Sequence, residues 1–122
     1  MGLVTVAFAY TVTVEFEAPE VAEEWLAWLR DGHLAQVLAA GAQDAELVEW
    51  ETPPPQRRFE VRYHFASIAA FAAYEKDLAP RLRAEGLERF PTARGIRYQR
   101  FSGPVLGCWL GGNRSPRLRR QA

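Results

Sequence analysis

The stretch Tyr10–Gly41, YTVTVEFEAPEVAEEWLAWLRDGHLAQVLAAG, changes its hydrophobic period part-way along, and that change decides the fold. Up to Phe16 the large apolar residues recur at every second position, the period of a strand with one buried face. From Val21 the period lengthens towards 3.6: Val21, Ala22, Trp25, Leu26, Trp28 and Leu29 share one stripe, and Glu23, Glu24, Arg30 and Asp31 lie opposite. Pro19 opens this helix, and Glu23 and Glu24 follow where the helix dipole favours negative charge. Gly32 interrupts the stripe, which predicts a kink or two helical pieces, the second from about Leu34 to Ala40 and stopped by Gly41.

Outward from that stretch, the alternation begins near Leu3. Val4, Val6, Phe8, Tyr10, Val12, Val14 and Phe16 form a core face, with Thr5, Ala7, Ala9, Thr11, Thr13, Glu15 and Glu17 on a small, polar one. Downstream, a strand over Ala45–Glu51 meets the proline run 53–55, which can only be a turn or a stiff loop. Arg58–Phe65 alternates again, with Phe59, Val61, Tyr63 and Phe65 facing one way and Arg58, Glu60, Arg62 and His64 the other. Ser67 is an N-cap for a helix from Ile68 to about Leu78. Pro80 marks its end, a kink, or the start of a further turn carrying Arg81 and Arg83. Gly86 and Pro91 punctuate the route to a last strand near Gly95–Phe101.

The order β-α-β-β-α-β with short connections predicts an α+β, ferredoxin-like domain: a four-stranded antiparallel sheet with two helices on one face. The domain is expected over residues 1–102, followed by an extended appendage, 103–122, with a basic tail. In this topology the first and third strands are antiparallel neighbours, so Glu15 and Glu17 approach Arg57 and Arg58. Two helices leave the other sheet face uncovered. That face carries Ala7, Ala9, Thr11, Thr13, Arg62 and His64, with Trp50, Phe101 and Trp109 on or near it, and it predicts a homodimer whose sheets face each other.

At 122 residues the chain can bury roughly two thirds of its unfolded surface and needs no staples. Cys108 is the lone cysteine, so an internal disulfide is ruled out, which fits a cytoplasmic location. The apolar start reads as a strand rather than a secretion signal or membrane span. The formal net charge is zero, which argues against a constitutive nucleic-acid or membrane binder. It conceals an asymmetry: residues 1–60 hold 11 acidic and 3 basic residues, residues 61–122 hold 4 and 12. Opposite-signed halves suit early and late strands lying side by side, or chains meeting reciprocally in a dimer. Arg114, Arg117, Arg119 and Arg120 form either a solvated end or an anion-binding arm.

His33 falls on the edge of the apolar stripe. It is either a general base or ligand donor at the mouth of a pocket between helix and sheet, tuned near neutrality by its surroundings, or a cap for the helix break. Arg62 and His64 project over the small residues of the first strand. With Glu60 and Arg97 or Gln99 they form a site for a small carboxylate or phosphate, or a polar network inside the dimer interface. Arg81 and Arg83 form a second anion site or solvate a helix end. Trp25 and Trp28 sit at the buried phase of the helix. Glycine-rich phosphate loops, nucleophile elbows and zinc-spaced His/Cys clusters are missing from the sequence, so no metal or cofactor is expected.

Trp28–Leu38, Arg62-Tyr63-His64-Phe65, Ala79–Phe90 and Arg100 together resemble a small bacterial family of unknown function. Its fold is the dimeric α/β-barrel version of the ferredoxin-like arrangement, and the resemblance covers roughly residues 8 to 102. The family commonly carries a proline two residues after the helix histidine, where this chain has Ala35. The resemblance implies a fold and a homodimer rather than an activity. The expected function is a small-molecule-binding or accessory module, with Trp25, Arg62, His64 and Arg100 as ligand contacts. The alternative is a cofactor-independent monooxygenase or isomerase acting on a small hydrophobic or aromatic substrate, with His33 as its catalytic base.

Overall fold

The computed structural model describes residues 7–112. Four strands, β1 (Phe8–Phe16), β2 (Ala42–Trp50), β3 (Arg57–Phe65) and β4 (Ile96–Pro104), form one sheet in the order β2-β3-β1-β4, with every neighbouring pair antiparallel. The helices are α1 (Pro19–Trp28), α2 (Leu34–Ala39), α3 (Ile68–Asp77) and α4 (Ala79–Arg89). They cover one face and leave the other bare, the ferredoxin-like arrangement the sequence predicts.

The core lies between that face and the helices. Phe8, Tyr10, Val14 and Phe16 of β1 meet Phe59, Val61, Tyr63 and Phe65 of β3 beneath Trp25, Leu26, Phe71, Tyr74 and Leu82 of the helices. Phe16, Phe59, Phe65 and Phe90 are essentially inaccessible, and each such burial contributes roughly 1.5–3 kcal/mol. Pro19 stands in the first turn of α1, where a missing N–H costs nothing, and the Ser67 hydroxyl accepts from the Ala70 N–H at 3.1 Å to cap α3.

The chain departs from the expected element boundaries in three places. At Gly32 the two expected helical pieces appear, the second over Leu34–Ala39, but they are joined without a loop: Leu29–His33 is a single π turn between α1 and α2, closed by the Leu34 N–H donating to the Leu29 carbonyl. α3 ends at Asp77 and Pro80 opens the next segment, as expected, but that segment is the eleven-residue helix α4 rather than a turn, and its interior includes Gly86. A Cβ on Gly86 would sit 3.4 Å from the Trp28 ring, so that glycine is where the indole lies close to the α4 backbone. β4 runs past residue 102 to Pro104, and the Val105 N–H still donates to the Ala7 carbonyl at 2.8 Å.

The expected meeting of strand ends is partly realised. Glu15 lies 3.8 Å from Arg58 and 2.6 Å from Arg97. Arg57, one residue earlier, points to the opposite face and there pairs with Glu49 at 3.0 Å and with Glu23 of α1. Glu17 packs against Gly95 rather than an arginine. The early start of β1 at Leu3 and the arginine tail lie outside the described residues.

Candidate ligand pocket

Strand alternation sends Tyr10, Tyr63 and Arg100 to the helix side of the sheet, because they share parity with the core residues Val12, Val61 and Tyr98. Above them α1 and the π turn contribute Trp25, Trp28, Leu29 and His33, and α3 and α4 contribute Tyr74, Leu82, Arg83, Gly86 and Leu87. The space between is a partly open cavity of about 70 Å³.

Three tyrosines meet in it. Tyr10 stacks on Tyr63 with centroids 5.8 Å apart and tilts against Tyr74 at 6.2 Å. Burial pushes the Tyr63 phenol well above its ordinary range. Burial also raises Tyr74 to about 12, with Tyr10 adding to the shift and the positive charges of Arg83 and Arg100 opposing it. Both hydroxyls therefore remain protonated hydrogen-bond donors at neutral pH. Tyr98 is raised to about 12 by burial, and its hydroxyl is spent on the Phe90 carbonyl at 2.7 Å.

Arg83 is held by the Glu75 carboxylate, with Nη2 donating at 2.6 and 2.9 Å, and by the Tyr10 hydroxyl at 3.3 Å. Burial works against its charge, but these partners outweigh that penalty and hold it protonated. Its Nε is buried without a partner. Arg100 lies over the Tyr98 ring at 5.7 Å and makes no ion pair among the described residues. His33 stacks on Trp28 with centroids 4.3 Å apart, an approach the wide π turn permits between residues five apart. Its Nδ1 is buried without a partner, so it does not cap the helix. Desolvation lowers its pKa to about 4, only partly offset by Glu85, so the ring is neutral at pH 7 rather than poised near neutrality.

Of the five residues singled out from sequence, His33, Trp25 and Arg100 line this cavity. Arg62 and His64 are on the opposite sheet face, as their alternation requires, and cannot reach it. There His64 Nδ1 lies 2.8 Å from Asp44 Oδ1, and Arg62 pairs with Glu60 and, at 3.3 Å, with Glu46. Sequence reasoning missed the tyrosine cluster, although hydroxyls recurring at core positions of β1 and β3 were its visible sign. It also left Arg81 and Arg83 equivalent. Arg81 faces solvent 3.7 Å from Glu85, while Arg83 turns inwards.

A family model described as a domain of unknown function (DUF4286) matches residues 7–95. The chain belongs to this family. Among solved structures, this DUF4286 domain is similar to two dimeric ferredoxin-like proteins from uncultured marine organisms. One has a TM-score of 0.64 at 13% identity over 85% of this chain and 99% of that one; the other has 0.65 at 15% over 85% and 98%. A protein of unknown function from Nitrosomonas europaea, NE2512, has a TM-score of 0.51 at 18% identity over 91% and 100%. No curated protein matches the chain. Among the described residues, no cluster of three His, Cys, Asp or Glu could hold a metal ion, and no helix is long and apolar enough to cross a membrane.

Proposed function

We propose that this DUF4286 domain is a homodimeric module that binds a small molecule in the helix-side cavity. The observation that carries the binding is the pair of buried nitrogens without partners, His33 Nδ1 and Arg83 Nε, on residues that line one cavity. A buried polar atom left without a hydrogen bond costs about 1–3 kcal/mol, which a bound molecule recovers.

Self-association is supported by the bare sheet face and by the dimeric state of the two marine neighbours. One edge of that face carries Asp44 and Glu46 on β2, and the far edge carries Arg97 and Phe101 on β4. A two-fold axis parallel to the strands lays the β4 edge of each protomer over the partner's β2 edge, with Phe101 at the level of Glu46. Phe101, on that face, is 56% exposed, apolar surface that a partner sheet would cover.

A cofactor-independent oxygenase or isomerase acting on an aromatic substrate has less support. An engineered cavity of ~150 Å³ takes benzene, so about 70 Å³ is too small for such a ring without opening. His33, with a pKa of about 4, would be a weak base. A native mass spectrum of the gently purified chain tests the proposal. A dimer carrying an extra bound mass is the expected result, while a monomer without bound mass would overturn it.

A further inference from the structure

We infer that the ligand of the helix-side cavity is a short-chain monocarboxylate, seated with its carboxylate towards Arg83, Arg100 and the tyrosine hydroxyls and its alkyl part among Val12, Val61 and Leu82. The inference rests on the binding reading above. Its first support is charge: two guanidinium groups line the cavity, and no acidic side chain does. Glu75 neutralises Arg83 from outside the lining, which leaves Arg100 as one uncompensated positive charge. A single carboxylate balances it, whereas a doubly charged phosphate would exceed it.

The second support is donor geometry. Arg83 keeps its Nε–H unspent while Nη2 is committed to Glu75 and Tyr10. The hydroxyls of Tyr63 and Tyr74 make no hydrogen bond to any described residue, and both rings pack close to Tyr10 and its link to Arg83. Donors without matching acceptors select an acceptor-only ligand, and an ionised carboxylate is one. The third support is size. About 70 Å³ is half the volume that holds benzene, room for an acid of roughly four to six non-hydrogen atoms.

Titrating the 122-residue chain with sodium propionate at pH 7 and constant ionic strength, and in parallel with the neutral isostere propionamide, tests this. The indole N–H signals of Trp25 and Trp28 report occupancy by NMR. The expected result is saturable shifts with propionate and a dissociation constant roughly tenfold or more below that of propionamide. Arg100→Gln should weaken propionate by a similar factor, and Arg81→Gln, which removes the same charge from a solvent-facing site, should change it less than about twofold. Equal affinity for propionamide would overturn the carboxylate assignment while leaving a small-molecule site in place. Shifts that sodium chloride reproduces, or that Arg100→Gln leaves unchanged, would overturn it as well. If neither compound shifts the indoles, the carboxylate assignment falls, and a bound mass in the native spectrum then decides whether the binding reading survives it.

Discussion

The Leu34 N–H reaches back five residues to Leu29, and that one wide turn brings the His33 ring against Trp28 in a site too poor in water to charge it. The consequence is a pH dependence with a fixed sign. Well above a pH of about 6.5 neither the folded nor the unfolded chain holds a proton on this imidazole. Between there and about 4 the unfolded chain binds the proton and the folded one does not, so stability falls as pH falls across that window. His33→Phe keeps a ring to stack on Trp28 and removes the titration. Urea unfolding at pH 7 and pH 5 should show a smaller loss of stability in the variant than in the wild type, and an equal loss would mean that His33 is not held neutral. Residue-level chemistry of this kind was only half legible. The sequence put His33 on the edge of a buried stripe, but whether it capped a break or stacked on a ring depended on the type of turn at Gly32. A sequence carries no sharp signal for a π turn, which differs from an α turn by one residue of slack.

Among the elements, the strands were readable because a two-residue period with one buried face leaves a single register, and all four appear within a few residues of their expected places. The second helical layer was harder, since Pro80 and Gly86 are breakers by local propensity and tertiary packing overrode one of them. Gly86 lies in the interior of α4 with the Trp28 ring 3.4 Å from where its Cβ would be, an ordinary contact distance. Gly86→Ala should therefore raise stability by roughly 0.5–1 kcal/mol through helix propensity, read as a higher urea midpoint. Gly86→Leu should instead displace Trp28 and weaken any ligand of the cavity that this glycine lines. Gly95 behaves in the opposite way. It enters β4 at φ 78°, and a Cβ there would meet the Glu17 side chain at 3.1–3.3 Å, so Gly95→Ala should cost about 1–2 kcal/mol in the same assay. The inward turn of Arg83 follows from α4 in the same manner: its phase could not be set from sequence while that segment was read as a turn after Pro80.

For the molecule as a whole, the opposite charges of the two halves are partly consumed inside one chain. Glu15 meets Arg97 at 2.6 Å, Glu46 meets Arg62 at 3.3 Å and Glu24 meets Arg94 at 3.0 Å, joining acidic residues of the first half to basic ones on β4, on β3 and in the turn before β4. What the fold does not consume is apolar: Phe101 projects from the bare face of β4, opposite Thr11. Because that side chain is more than half exposed and lies on the sheet face away from the core, Phe101→Glu should leave the protomer folded, with an unchanged circular dichroism spectrum and a stability change within about 0.5 kcal/mol. The same substitution places a carboxylate where a two-fold sheet interface would bring it over the partner's acidic β2 edge, and like charges there oppose association. Sedimentation at micromolar concentration should then find the wild type dimeric and the variant monomeric. A variant that stays dimeric would move the interface off this face and leave the exposed Phe101 to some other contact.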